Sequence, residues 1–183
     1  MLACDAPSAV GGPMHAVVAR RTRSEAGEWQ AFVRDGSLHL QAGDEPPVFV
    51  SDGVLPEVSF APDGTSLVYA REERGQSDLW RLALPDGEPE RLLAWPSSED
   101  RPAHGPDGEL VFVSGVTGLA ALWSLDLATG ATRQLTNVGL EHAPRAPGRP
   151  PRGFEPPPDA ETLRWDDDGV HWVADLRAWT VVP

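Results

Sequence analysis

Two stretches of the chain are diverged copies of one repeat: residues 57–93, EVSFAPDGTSLVYAREERGQSDLWRLALPDGEPERLL, and residues 101–135, RPAHGPDGELVFVSGVTGLAALWSLDLATGATRQL. Four anchors agree on the spacing between the copies. Gly64 lies 44 residues before Gly108, and 43 residues separate each of the other three pairs, Trp80 and Trp123, Gly87 and Gly130, and Leu92 and Leu135. A fixed period of this length is the sequence signature of a repeat architecture.

Each copy has the pattern of short antiparallel strands. The runs VSF, LVYA, LWRLAL and ERLLA are rich in apolar, β-branched and aromatic residues, and turn formers separate them. Pro62-Asp63-Gly64 and its counterpart at 106–108 predict a tight strand connection, because proline presets φ, aspartate caps the turn and glycine accepts the left-handed conformation. Asp86-Gly87 and Thr129-Gly130 predict a second turn. Four strands in about 43 residues predict one blade of a β-propeller.

Weaker copies flank the pair and complete a four-blade pattern. The segments EWQAFVRDGSLHLQAGDEPPVFVSD and LRWDDDGVHWVADLRAWTVV align with the central copies, and Asp35-Gly36 is predicted as a hairpin turn. The chain therefore divides into an N-terminal linker (1–14) and a propeller domain (15–183). The predicted blades cover residues 15–52, 56–94, 100–136 and 160–183, with a proline-rich insertion at 143–159.

Large rings recur at two positions of every copy. One column contains Phe32, Tyr69, Phe112 and Trp172, and the other contains His39, Trp80, Trp123 and Trp179. Large flat side chains fill the wedge between twisted sheets, whereas a stack for a sugar or peptide would need the rings only once. We therefore expect Trp80 and Trp123 to be largely buried between blades.

The repeat resembles the WD-like propeller repeat of the TolB family. The resemblance rests on the aromatic before the Pro-Asp-Gly corner, the strand Ser/Ala-x-Leu-Trp, the Asp-Gly turn and the ending RQLT, and it covers residues 56–136. The family's repeat is used in periplasmic Tol proteins, in uncharacterised lipoproteins and in propeller domains of prolyl-oligopeptidase-like enzymes, so it implies an all-β propeller more specifically than a function.

The length of the chain leaves the closure of the ring open. Six blades, typical of TolB-like rings, need about 258 residues at this period, and the chain has 183. A small four-bladed ring, an open arc covered by a partner and a truncated gene product are the alternatives. The last copy ends after its third strand, and the segment MHAVVAR (14–20) is a candidate for its fourth.

Composition and motifs argue against catalysis and cofactors. A net charge of −13 disfavours nucleic-acid binding, and one cysteine excludes an internal disulfide. No Gly-x-Ser-x-Gly elbow occurs, and the five histidines lack partners at metal spacing. The run Asp166-Asp167-Asp168-Gly169 lacks the alternating spacing of an EF-type calcium loop, so a solvated corner is favoured over a calcium site. We predict no enzyme activity, no metal and no cofactor.

The N-terminal residues Met-Leu-Ala-Cys resemble the cleavage site of a bacterial lipoprotein signal peptide. They favour lipidation at Cys4. No apolar segment precedes the cysteine in this sequence, so a periplasmic or cell-envelope location is expected if the true start lies upstream. Otherwise the protein is expected in the cytoplasm.

The predicted function is that of a non-enzymatic, protein- or peptide-binding propeller of the bacterial cell envelope. A carbohydrate- or small-ligand-binding accessory propeller is the alternative. Recognition is expected on the loops that enter the inner strands, above all on the proline-rich insertion. Its arginines, Arg145, Arg149 and Arg152, would dock an acidic partner, and the competing interpretation is a solvated linker.

Overall fold

The described part of the chain folds into four antiparallel sheets that follow one another along the sequence. A computed structural model describes residues 20–24, 27–118, 120–136, 163–166, 168–174 and 177–181. Cys4 and the arginines of the proline-rich insertion lie outside the described residues, as do residues 14–19 of the candidate closing strand. Within the described ranges, no helix is long and apolar enough to cross a membrane.

The strands of each sheet pair in chain order. The first sheet contains β1 (Arg20–Arg23), β2 (Trp29–Arg34), β3 (Ser37–Ala42) and β4 (Val48–Ser51), and the second contains β5 (Val54–Phe60), β6 (Ser66–Glu73), β7 (Gln76–Ala83) and β8 (Glu90–Arg91). The third contains β9 (Glu99–His104), β10 (Glu109–Ser114), β11 (Ala121–Asp126) and β12 (Thr132–Gln134), and the fourth contains β13 (Arg164–Asp166), β14 (Gly169–Ala174) and β15 (Arg177–Val181).

The Pro-Asp-Gly corners form as the sequence predicts. Gly64 and Gly108 adopt φ of 72° and 77°, in the left-handed region that favours glycine. The Asp63 carboxylate accepts hydrogen bonds from the backbone N–H and the hydroxyl of Thr65, at 2.9 and 2.8 Å. Gly87 lies in the second predicted turn, but its backbone does not adopt the left-handed conformation. A Cβ there would lie 2.6 Å from the carbonyl oxygen of Ala83, so close packing is what requires glycine.

The core consists of three apolar clusters, each between two successive sheets. Alternate residues of β6 divide between two clusters: Leu67 and Tyr69 pack toward the first sheet, and Val68 and Ala70 pack toward the third. On β10, Phe112 packs toward the second sheet and Val111 toward the fourth. This division follows from the period of two along a strand, and it makes β6 and β10 hydrophobic on both faces.

The first strand of each sheet makes the principal contacts with its neighbours. β1 and β2 contact β5, β9 contacts β5, β6 and β7, and β13 contacts β9. In one such contact, the backbone N–H of His104 donates to Ser59 Oγ at 3.0 Å, which joins β9 to β5. Successive sheets are thus stacked through their inner strands. The described part of the chain shows no closed ring of sheets, which agrees with the open arrangement among the predicted alternatives.

Candidate peptide-binding groove

A groove of about 550 Å³ lies between the first and second sheets, beside the outer strand β4. Its apolar floor is contributed by side chains from both sheets, including Trp29, Leu40, Val50 and Leu82. The volume is within the range of roughly 300–1,000 Å³ that is usual for small-ligand sites.

Among the residues that the structure describes, the two most exposed large hydrophobic side chains lie on this strand. Val48 is 68% exposed and Phe49 is 55% exposed, and both line the groove. The Phe49 ring also contacts the His39 ring edge to face, with centroids 5.7 Å apart. Exposed apolar side chains grouped at a concave surface mark interaction sites more often than isolated ones do.

Backbone hydrogen bonds hold the two loops that border the groove. In the β3–β4 loop, the Gly43 N–H donates to the Glu28 carbonyl and the Glu45 N–H to the Ala42 carbonyl, both at 2.9 Å. In the β7–β8 loop, the Leu84 N–H donates to the Thr65 carbonyl at 2.8 Å. The groove is therefore shaped before any ligand arrives.

The rim of the groove is acidic. Glu45, Asp86 and Glu88 line it and are exposed, and no described residue of the lining is basic. The described lining also contains no serine, threonine, cysteine or histidine, and its titratable side chains are these three carboxylates.

A second polar site lies at the loop that enters β9, where the second and third sheets meet. Glu99 is fully buried, and its Oε1 accepts hydrogen bonds from the hydroxyls of Ser97 and Ser114 at 2.8 and 3.1 Å. Burial raises the pKa of the Glu99 carboxyl. Nearby, Asp78 is buried and forms an ion pair with Arg91 at 2.6 Å. These contacts hold the loop that enters β9 in place. Within the described residues, no group of three or more side chains that could bind a metal ion occurs.

The predicted aromatic columns are cross-strand pairs of the central hairpins. In all four sheets a member of one column lies directly opposite a member of the other: Phe32 and His39, Tyr69 and Trp80, Phe112 and Trp123, and Trp172 and Trp179. Tyr69 and Phe112 are fully buried. Trp80 and Trp123 are partly buried and pack against the clusters between sheets, and the Arg71 guanidinium lies 5.0 Å above the Trp80 ring.

Comparison with solved structures identifies the architecture. TolB from Acinetobacter baumannii superimposes with a TM-score of 0.54 at 18% identity, over 65% of this chain and 32% of that protein. The β-propeller domain of the Trilobed protease from Pyrococcus furiosus, described as having an open velcro topology, gives 0.51 at 14% identity, over 90% of this chain and 57% of that domain. The fold is a TolB-like β-propeller.

A solved structure of an enzyme also shows this likeness. A puromycin-hydrolyzing peptidase from Mycobacterium tuberculosis has a TM-score of 0.58 and 16% identity, over 87% of this chain and 28% of the peptidase. The chain thus spans about a third of the TolB protein it resembles and less of the peptidase. No family model matches the propeller sequence, and no curated protein matches it.

The groove was not predicted from the sequence. Recognition was expected on the loops that enter the inner strands, whereas the groove lies between loops that lead into the outer strands β4 and β8. The one local signal is the pair Val48-Phe49 after Pro46-Pro47, an apolar run in a strand whose outer edge has no strand partner among the described residues.

Proposed function

We propose that this propeller binds a protein or peptide, without catalysis, in the groove between its first and second sheets. The observation that carries the proposal is the exposure of Val48 and Phe49 along a preformed groove of about 550 Å³. Burying the exposed apolar surface of Val48 would stabilise a complex through the hydrophobic effect, at roughly 25 cal/mol per Å² of apolar surface. The open edge of β4 adds backbone donors and acceptors that a peptide can pair with.

Two observations support binding over catalysis. The described lining offers carboxylates and apolar side chains, with no serine, threonine, cysteine or histidine. The sequence also lacks the Gly-x-Ser-x-Gly elbow of the hydrolases that such propellers can accompany.

The carbohydrate alternative would be favoured by exposed tryptophans. Four tryptophan side chains are described, those of Trp29, Trp80, Trp95 and Trp123, and each is partly buried. All four pack against clusters between sheets, and Trp95 also contacts the rings of Phe112 and Trp123. Their environment supports a packing role, and protein or peptide binding is the function we propose.

A displayed library of random linear peptides tests the proposal. Peptides selected on the wild-type protein are expected to lose binding to Val48→Gln, because the exposed valine is replaced by a polar side chain of greater length. Thr132→Gln, an exposed residue on the outer strand of the third sheet, is the matched control and should retain binding. Failure to enrich any peptide, or equal binding to the Val48→Gln protein, would overturn the proposal.

We also propose a cell-envelope location through lipidation at Cys4. The proposal rests on the resemblance of the N-terminal residues to a lipoprotein cleavage site. Expression together with the natural upstream sequence should give fatty-acid labelling that Cys4→Ser abolishes. The absence of an apolar segment upstream in the gene would contradict it.

The arginines of the 143–159 insertion are proposed as a separate contact for an acidic partner. Three positive charges stand out on a chain of net charge −13. Replacing residues 145–157 by a short Gly/Ser bridge should leave the fold intact and remove binding to a polyglutamate peptide. Retained binding would favour the linker interpretation.

A further inference from the structure

The charge of the groove indicates the chemistry of its ligand. Glu45 comes from the β3–β4 loop, and Asp86 and Glu88 come from the β7–β8 loop, so carboxylates face the opening from both sides. No described cation forms an ion pair with any of the three. A cationic ligand would gain attraction at this rim, and an anionic one would be repelled.

The geometry of β4 indicates the shape of the ligand. β4 pairs with β3 along one edge, with Leu40 opposite Val48, and among the described strands none pairs with its other edge. An unpaired edge is a template for an added strand, and a peptide bound in this way is recognised through its backbone. The four residues of β4 would set the length of the pairing.

The two features together specify a side-chain pattern. Side chains of an added strand alternate between its faces, so residues two positions apart point toward the same face. One such residue would lie beside Val48 at the apolar lining, and the next on that face would extend toward Glu45 at the loop end of the strand.

We propose that the groove binds an extended cationic peptide segment, which adds a strand to the edge of β4 and carries an apolar and a basic residue two positions apart. This inference rests on the proposed function of the same groove and names its ligand class. Burial of the apolar residue contributes binding free energy, and the basic residue contributes selectivity for cationic over anionic peptides. The ion pairs at the rim contribute little free energy because the carboxylates stay partly solvated.

Fluorescence anisotropy with labelled synthetic peptides tests each part. The probe is a peptide that alternates serine with valine and arginine, so that valine and arginine are two positions apart. We compare it with the same peptide containing glutamate for arginine, and with a version N-methylated at alternate amides. The arginine peptide should bind and both comparison peptides should bind at least about tenfold more weakly. Equal binding of the glutamate peptide would overturn the charge assignment, and equal binding of the N-methylated peptide would overturn strand addition.

A matched pair of double variants distinguishes the effect of the rim carboxylates on binding from the effect of the protein's overall charge. Glu45→Gln with Glu88→Gln should weaken binding about fivefold to tenfold, since each exposed pair contributes modestly. Glu72→Gln with Asp107→Asn removes the same charge from exposed positions outside the groove lining and should change binding less than twofold. Equal weakening by both doubles would overturn the assignment to the rim.

The same proteins distinguish failure of this inference from failure of the proposed function. Library-selected peptides that need Val48 but ignore the rim carboxylates would overturn the cationic ligand and leave the groove as a binding site. Selected peptides that ignore Val48 as well would overturn both. Circular dichroism of every variant establishes that a loss of binding occurs in a folded protein.

Discussion

Tyr69 and Trp80 lie directly opposite each other on β6 and β7, and both pack toward the first sheet. The corresponding pair of the third sheet, Phe112 and Trp123, packs toward the second sheet. These two central hairpins thus direct their aromatic pairs to the preceding sheet. Each pair fills space between twisted neighbouring sheets.

Trp123→Ala tests this packing. The indole contacts the ring of Trp95 at 5.0 Å between centroids and packs against the cluster between the second and third sheets. Truncation should lower the free energy of unfolding by about 3 kcal/mol through lost burial and a cavity. Urea denaturation followed by circular dichroism measures the change, and Arg133→Ala on the exposed outer strand should stay within about 0.5 kcal/mol. Similar values for the two variants would contradict the packing role.

The sequence predicted the two columns of rings because the repeat constrains them twice. Period-two alternation identifies which residues share a face, and the common spacing of the copies identifies which residues correspond. The structure adds that members of the two columns lie opposite each other on the central hairpins. The β6–β7 turn was not predicted. Arg74 and Gly75 form it with φ of 58° and 82°, the same left-handed pair that Asp35 and Gly36 form at 51° and 76°. Arginine carries no turn signal, whereas Asp-Gly does.

The second prediction concerns His104, at the inner contact between the second and third sheets. Burial lowers its pKa from 6.5 to about 4, and Ser59 Oγ lies 3.0 Å from its Nδ1. The unfolded chain binds a proton in this window and the folded chain does not, so stability should fall as pH drops from about 6.5 to 4, by at most about 3 kcal/mol. His104→Gln should lose this part of the pH dependence.

Proton NMR of the histidine ring provides the direct measurement. The His104 ring signals should titrate with a midpoint near pH 4, well below that of an unperturbed histidine. A midpoint near 6.5 would contradict the buried environment.

The third prediction concerns Glu99, whose contribution to stability should change with pH in the direction opposite to that of His104. Burial raises the pKa of this carboxyl, against the opposing effect of the hydrogen bonds from Ser97 and Ser114. The folded chain then holds a proton that the unfolded chain releases, so this residue's contribution to stability falls as pH rises above its ordinary pKa of 4.5. Glu99→Gln should therefore gain stability relative to wild type between pH 4.5 and 7. A difference that is constant with pH would contradict the assignment.

The groove was beyond prediction because it depends on how two sheets are placed. Glu45 and Glu88 are 43 residues apart in the sequence and belong to loops of different sheets, yet they border one opening. The sequence of each loop by itself predicts only a polar turn. The predicted contact residues Arg145, Arg149 and Arg152 and the predicted lipidation site Cys4 lie outside the described residues, and they stay predictions.

The last prediction concerns Gln76, which fastens the loop entering β9. Its side-chain amide donates to the carbonyl oxygens of Trp95 at 2.6 Å and Ser97 at 3.1 Å. These bonds hold Trp95 where its ring meets Trp123. Gln76→Ala leaves two partly buried carbonyls without this donor and should cost about 1–2 kcal/mol of unfolding free energy.

The pattern of amide exchange tests whether the effect is local. The matched control is Ser37→Ala at the preceding junction, where the hydroxyl donates to Asp52 Oδ1 at 2.8 Å in an exposed setting and should contribute less. In Gln76→Ala, hydrogen exchange should accelerate in residues 94–98, while peptide binding in the groove stays unchanged because the groove lies at the other junction. Unaltered exchange in the loop would show that other contacts hold it. A simultaneous loss of groove binding would show that the two junctions are coupled, as they would be if the stacked sheets moved as one body.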